Sequence, residues 1–324
     1  MNRRFLPLLM TSVVFLLGYL YCSVQFHNFA TMRVICNLLT DNAFLGITAV
    51  GMTFVILSGG IDLSVGSVIA FTTVFLAIAI ERFHVPPFLA FVAVLGLGAG
   101  FGAAMGAAIH YLKIPPFIIT LAGMFLARGV SFLLTTDSLP IEHPLYSDLN
   151  DVAIHVLSGR LSLIAMVMLV VFLAGGILAH RTRFGTSVFA LGGNLTSAQL
   201  MGVPVGRTMI LIYTLSSFLA ALAGIVFSLY TQAGYSLAAT GTELDAIAAV
   251  VIGGTLLTGG YGHVFGTFVG ILIQGLIQTF ITFDGTLSSW WTKIAVGALL
   301  FAFIGLQRLL VVAWVPKRRM SSSA

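Results

Sequence analysis

Leu161–Ala179 reads LSLIAMVMLVVFLAGGILA, nineteen consecutive residues without a charge. As an α-helix rising 1.5 Å per residue, that run is about 28 Å long, close to the ~30 Å hydrocarbon core of a bilayer. A helix also satisfies its own backbone hydrogen bonds, which lipid cannot do. A barrel strand would alternate apolar and polar residues, and this run does not alternate. It is read as a membrane-spanning helix.

The rest of the chain repeats the pattern. Of its 324 residues, 59% are apolar and 8% are charged, where a soluble domain carries about 25% charged residues. Apolar runs suggest spans at 5–24, 41–58, 64–80, 88–109, 116–134, 161–180, 208–231, 243–258, 264–283 and 290–312. The expected fold is all-α: one polytopic transmembrane domain over 1–324, with about ten spans. The short segments around 41–80 and 243–283 are the places where helices are expected to be broken or re-entrant. Met1–Arg4 followed by an apolar run to about Val24 looks like a signal peptide. The run is too long for a signal core and no small-x-small site follows, so it is read as a retained first span. Cys22 and Cys36 form no disulfide framework and no metal-ligand cluster, and are read as packing residues.

Charge sets the expected orientation. Arg3, Arg4, Lys113, Arg181, Arg183, Arg207, Lys317, Arg318 and Arg319 flank apolar runs, whereas loop 135–160 carries Asp137, Glu142, Asp148 and Asp151 against Arg160. Lys and Arg collect on cytoplasmic loops. Both termini, Lys113 and the 181–207 loop are therefore placed inside, and 135–160 outside. Ten spans starting inside give the same answer. The net charge of +5 does not point to nucleic acid.

A weak internal repeat is visible. Ser58-Gly59-Gly60-Ile61-Asp62-Leu63-Ser64-Val65-Gly66-Ser67 and Thr258-Gly259-Gly260-Tyr261-Gly262-His263-Val264-Phe265-Gly266-Thr267 both read [ST]-G-G-x5-G-[ST]. Both lie between short apolar segments, which suggests two halves of one architecture, and paired broken helices point to a transport pathway. Gly98, Gly102, Gly106 and Gly262, Gly266, Gly270 are spaced to line one helix face each. They suit a close helix crossing, either static or moving.

No catalytic or metal-binding set stands out. The chain has three lysines, Lys113, Lys293 and Lys317, and none closes a Gly-x4-Gly-Lys-[Ser/Thr] phosphate loop. There is no His-Glu-x-x-His zinc motif and no Gly-x-Ser-x-Gly elbow. Ionisable groups near the membrane interior are Asp41, Asp62, Arg128, Glu243, Asp245 and Lys293. Asp41 and Glu243 are read as first-turn acids at helix starts. Asp62, inside the first Gly-Gly loop, either caps the following helix or bonds broken backbone. Arg128 either snorkels or pairs with an acid. Gln274 and Gln278 share a helix face, and Asn42, Thr53, Ser64 and Thr120 add uncharged hydrogen-bonding groups. Such a lining suits a polar, uncharged solute, although each residue could equally bond another helix. Trp290 and Trp291 start the last span as interfacial aromatics, and Trp291 is counted with the solute pathway as a stacking face.

The most specific segment is the inside loop, His180–Asn194 (HRTRFGTSVFALGGN) followed by LTSAQLMGVP to Pro204. Asn194 is placed to cap a short helix with Ala198 and Met201 on an apolar face, stopped by Gly202 and Pro204. That helix lies either on the membrane interface or this protein's own underside, or in a partner's cleft.

With Val55–Ser67 (VILSGGIDLSVGS), Lys113–Gly123 (KIPPFIITLAG), Thr182–Gly202 (TRFGTSVFALGGNLTSAQLMG) and Glu243–Gly260 (ELDAIAAVVIGGTLLTGG), the chain resembles permease subunits of bacterial ABC sugar importers, in the ribose and branched-chain amino acid permease class. The resemblance covers nearly the whole chain. Arg33–Val65, Tyr230–Tyr235 and Phe283–Trp291 look most like one permease of a galactofuranose importer. The resemblance implies an inner-membrane subunit paired with a paralogous permease. It also implies a cytoplasmic ATPase below and a periplasmic sugar-binding protein above, with no cofactor in this chain. Carried over, the coupling helix is 194–202 and the coupling residues are Arg183, Gly192, Gly193, Asn194, Ser197, Ala198 and Gly202. The Glu-Ala-Ala signature of other importer permeases is absent, and Thr196-Ser197-Ala198 stands in its place. The alternatives are an ion-coupled sugar carrier using Asp62 or Glu243, and a permease of the same class for ribose or another sugar.

Overall fold

A computed structural model describes residues 6–288 and 290–314. The terminal charges Arg3, Arg4, Lys317, Arg318 and Arg319 lie outside the described residues. The helices are α1 (Leu6–Gln25), α2 (Met32–Asp41), α3 (Ala43–Leu57), α4 (Val65–Ala77, continued by a π-helical turn Ile78–Arg82), α5 (Pro87–Leu112), α6 (Pro116–Leu134), α7 (Pro144–Asp151), α8 (Leu163–Arg181), α9 (Arg183–Gly193), α10 (Leu195–Leu200), α11 (Val205–Thr231), α12 (Thr242–Ile252), α13 (Val264–Asp284) and α14 (Trp290–Trp314). Four short strands join them: β1 (Leu139–Pro140) pairs with β4 (Ala233–Gly234), and β2 (Ala153–Val156) with β3 (Gly159–Ser162), both antiparallel. The all-α class stands.

Helix α3 is apolar all round, and every residue but Phe44 is buried, as expected of a helix enclosed by others. It packs on α8, α11 and α12, while α11 also runs along α4 and α5. The α5–α11 crossing is close because Gly98, Gly102 and Gly106 face α11. A Cβ on Gly98 would stand 2.7 Å from Ala221 Cβ, one on Gly106 2.7 Å from Ile210 Cα, and one on Gly102 would strike the Tyr213 carbonyl oxygen. Gly266 and Gly270 likewise face Gly253 and Ala249 of the α12 segment. Gly262 precedes α13, so the second ladder is not one continuous helix face. Cys22 and Cys36 are buried free thiols.

Among the described residues, seven helical segments are long and apolar enough to cross a membrane, or eight when α2 and α3, bent by 58° at Asn42, count as one. The expected count of ten is not confirmed. The shortfall lies partly where breaks were expected. Helix α12 has 11 residues, about half the hydrocarbon thickness at 1.5 Å each.

The stretch before α12 shows why that helix starts late. Ala239 and Gly241 take left-handed backbone, φ +53° and +85°. The freed carbonyls are satisfied from α6: Arg128 donates to Ser236 O at 2.6 Å and to Ala238 O at 2.9 Å. The Ser236 hydroxyl donates in turn to Ser131 O and Thr135 O. Irregular backbone is tolerated at membrane depth only when protein groups satisfy it in this way. Arg128 thus neither snorkels nor forms a direct ion pair; it holds a non-helical segment in place.

Two other expectations are corrected. Asp41 ends α2 rather than starting a helix, because the chain bends at Asn42 and α3 begins at Ala43. The inside loop is more helical than expected. Thr182 Oγ1 accepts from Gly185 N at 3.2 Å and starts α9, whose buried Val188 and Leu191 follow Phe184 at helical spacing.

Candidate functional site

The far ends of α2, α11 and α13 and the first turns of α3, α12 and α14 surround a cavity of about 540 Å3. Asn42, Gln274 and Gln278, expected to line a solute path, all open onto it. So do Asp41, Tyr230, Thr242, Asp245, Trp290 and Lys293, which sequence reasoning did not assemble into one site. A smaller space of about 160 Å3 shares Asp41, Asn42, Gln278 and Thr282 with it.

Fixed hydrogen bonds shape the walls. The Tyr230 hydroxyl donates to Asp41 Oδ1 at 3.1 Å. Lys293 Nζ donates to both Asp245 oxygens, at 2.7 and 2.5 Å, tying α14 to α12. Gln274 Nε2 donates to Asp245 O at 3.0 Å, and Asn42 Nδ2 to Leu38 O at 2.9 Å. Each amide therefore keeps its carbonyl oxygen for a further donor. Glu243 and Asp245 stand in the first turn of α12, where acids were expected and where the helix dipole favours them. The arrangement offers many donors and acceptors beside one indole face. It suits hydroxyl groups better than an apolar side chain.

The remaining pathway candidates lie elsewhere. Thr53 bonds Thr267 across α3 and α13, Oγ1 to Oγ1 at 2.8 Å, fully buried. Asp62 and Ser64 are also fully buried. Asp62 Oδ1 accepts from Ser64 N at 2.9 Å and Ser64 Oγ at 2.6 Å, and Oδ2 accepts from Ser216 Oγ at 2.8 Å. Asp62 therefore serves the broken backbone and fastens its loop to α11. Thr120 donates to Ile61 O of the same loop at 3.2 Å. Trp291 is half-exposed and does not line the cavity; its neighbour Trp290 does.

The α9–α10 segment forms a second site. Asn194 Oδ1 accepts from Ser197 N at 2.8 Å and caps α10. Gly202, at φ +78°, turns the chain out of it. Ala198 is fully buried against the core, while Leu200 and Met201 are 85% and 71% exposed. The outward apolar surface is thus carried by Leu200 and Met201, with Leu195 beside them, and not by Ala198. Arg183 is exposed at the start of α9. Gly192 and Gly193 end α9 against the two Gly-Gly loops. In those loops the repeated Gly59 and Gly259 have the same φ, +82°.

The family model for the permease component of branched-chain amino acid transport systems matches residues 34–304. Over 323 residues the chain is 65% identical to the inner membrane ABC transporter permease protein YjfF of Escherichia coli K12, covering 99% of this chain and 97% of that protein. It is 37% identical to the fructose import permease protein FruG of Bifidobacterium longum, over 98% of this chain and 95% of FruG. It is 38% identical to the ribose import permease protein RbsC of Escherichia coli K12, over 86% of each chain. No solved structure matches at a significant level. A chain of apolar helices with two interrupted segments and a polar cavity, matched along its length by permeases and by no enzyme among these relatives, is itself a permease. It belongs to the branched-chain amino acid transport system permease family, the ribose and branched-chain class of ABC transporter permeases.

Proposed function

We propose that this chain is a membrane subunit of an ATP-driven importer that carries a monosaccharide, galactofuranose, across the bacterial inner membrane. The observation that carries the reading is the cavity. Asn42, Gln274 and Gln278 present amides, Tyr230 and Thr242 hydroxyls, and Trp290 an aromatic face, around about 540 Å3. Hydroxyl-rich solutes need dense, directional hydrogen bonding and an apolar surface for their C–H faces. The fructose and ribose import permeases among the relatives support a sugar as the solute.

In this reading both termini are cytoplasmic, and loop 135–160 faces a periplasmic binding protein that delivers the sugar. A paralogous permease completes the pore. A separate ATPase subunit hydrolyses ATP and docks against the α9–α10 segment, with Arg183, Gly192, Gly193, Asn194, Ser197, Ala198 and Gly202 as the coupling region. ATP binding closes the ATPase dimer, displaces α10 and reverses the side from which the cavity opens. Asp62 is not the ion site of a secondary carrier in this scheme, because its oxygens are committed to Ser64 and Ser216.

The test is uptake of labelled galactofuranose into liposomes holding this chain with its candidate paralogue and ATPase. Binding protein is added outside, and ATP is supplied on the ATPase side. Uptake that needs both ATP and binding protein, and that falls in Gln274→Ala and Gln278→Ala, is expected. Uptake of ribose alone leaves the family and moves the solute. Uptake by this chain alone, driven by a proton gradient, overturns the reading.

A further inference from the structure

Three glycine pairs from distant parts of the sequence meet at one point. Gly259 φ (+82°) and Gly260 φ (+75°) are left-handed, and Gly59 repeats the former value. A Cβ on Gly259 would stand 2.7 Å from Gly59 N, 2.9 Å from Gly59 Cα and 3.0 Å from Gly192 Cα. One on Gly260 would stand 2.8 Å from Gly193 Cα and 2.9 Å from its nitrogen. One on Gly192 would strike Leu57 O and lie 2.5 Å from Gly260 N. Backbone therefore touches backbone with no side chain between. Gly260 N also donates to Leu57 O at 2.9 Å, joining the α12–α13 loop to the end of α3. Beside this point Phe184 of α9 stacks on Phe54 of α3, ring centres 5.9 Å apart.

What leaves this point matters as much as what meets there. Helix α3 runs from it to Asn42 and Phe44, α12 to Asp245 and Thr242, and α13 to Gln274 and Gln278. All of these residues line the cavity. The third member, Gly192–Gly193, leads directly into Asn194 and α10. Contacts made through flexible side chains absorb small displacements by changing rotamer. Close-packed backbone has no such slack. A shift of the α9 end must therefore move the ends of α3 and the α12–α13 loop together.

We infer that Gly59, Gly192, Gly259 and Gly260 form a rigid backbone joint that passes movement of the α9–α10 segment to the helices walling the cavity. These are positioning residues, and the inference rests on the importer reading above. A methyl group at Gly259 both enters the joint and meets a left-handed φ, so the segments must part.

The experiment uses the complete transporter complex in liposomes. Wild-type, Gly259→Ala and, as a control for the substitution itself, Gly100→Ala are compared; Gly100 has nothing within 4 Å of its Cβ position. ATP hydrolysed per sugar carried is the readout, because simple loss of folded transporter lowers both quantities and leaves their ratio unchanged. Gly259→Ala is expected to raise the ratio more than about tenfold with the complex still assembled, and Gly100→Ala to leave it unchanged. A wild-type ratio in Gly259→Ala overturns the joint, whereas a wild-type complex that shows no ATP-driven uptake overturns the importer reading instead. If Gly259→Ala fails to assemble, hydrogen exchange in the wild-type complex decides. The amide of Gly260 is expected to stay protected in both nucleotide-free and ATP-bound states, because the joint moves as one body. Loss of its protection in either state would show that the segments separate, and the inference would fall.

Discussion

Asp62 illustrates what one buried carboxylate can mean. In the sequence it is an acid between two apolar segments, and both a backbone anchor and an ion site fit that description. Its three hydrogen bonds, two from Ser64 and one from Ser216, decide for the anchor. An asparagine keeps the accepting oxygen for Ser64 and can donate its amide to the Ser216 hydroxyl, which rotates to accept. Asp62→Asn is therefore expected to assemble and to keep ATP-driven uptake close to wild type. Asp62→Ala strands buried donors and is expected to lose about 1–3 kcal/mol of stability, read as a lower unfolding midpoint. Abolished uptake in an intact Asp62→Asn complex would place the carboxylate charge in the transport step. His263, just before α13, gives a pH dependence. Burial, with His180 beside it, holds its imidazole below the usual value of 6.5. The unfolded chain then binds the extra proton first as pH falls, so this contribution to stability is complete above about pH 6.5 and is lost on acidification below it. The unfolding midpoint is expected to fall between about pH 7.5 and 5.5, and less steeply in His263→Gln. Equal slopes in the two proteins would remove His263 from the account.

At the scale of elements, the sequence is most legible where a helix is long and apolar throughout. The runs behind α5, α6, α8 and α11 need only length and the absence of charge to be found. It is least legible where a helix is interrupted. Nothing local in Tyr235–Gly241 says that Arg128, over a hundred residues earlier, satisfies its carbonyls. The cavity is hidden for the same reason: Asp41 and Tyr230 meet across 189 residues of sequence, Asp245 and Lys293 across 48. Helix α9 did carry a signal, since Thr182 is a capping residue and Phe184, Val188 and Leu191 follow at helical spacing. Glycine spacing marked the α5–α11 crossing correctly, but spacing alone does not say which face packs. Gly102 meets Tyr213 O and Ser217 Cβ, whereas Gly100, on the same helix, meets nothing. Gly102→Val is expected to lower the unfolding midpoint by the equivalent of about 1–3 kcal/mol, the usual cost of overpacking, and Gly100→Val to leave it nearly unchanged. Equal effects would mean that helix propensity, and not the crossing, sets the cost.

At the scale of the whole molecule, everything proposed for coupling depends on which side of the membrane α10 faces. Lys113, Arg181, Arg183 and Arg207 gather at one end of the helices, and Asp137, Glu142, Asp148 and Asp151 in the connection between α6 and α8. On the positive-inside bias, α9 and α10 are expected in the cytoplasm and the β2–β3 hairpin outside. The chain suits a direct test. Its two native thiols, Cys22 and Cys36, are each only 3% exposed and give little labelling background. Ser147→Cys, on the exposed side of α7, is expected to react with a membrane-impermeant maleimide added to intact spheroplasts. Leu200→Cys, at a position 85% exposed, is expected to react only after the membrane is opened. The reverse pattern would put Leu195, Leu200 and Met201 on the side that has no ATP. An ATPase could then not reach the segment that leads into the glycine joint, and the outward cavity and the coupling helix would have to exchange roles.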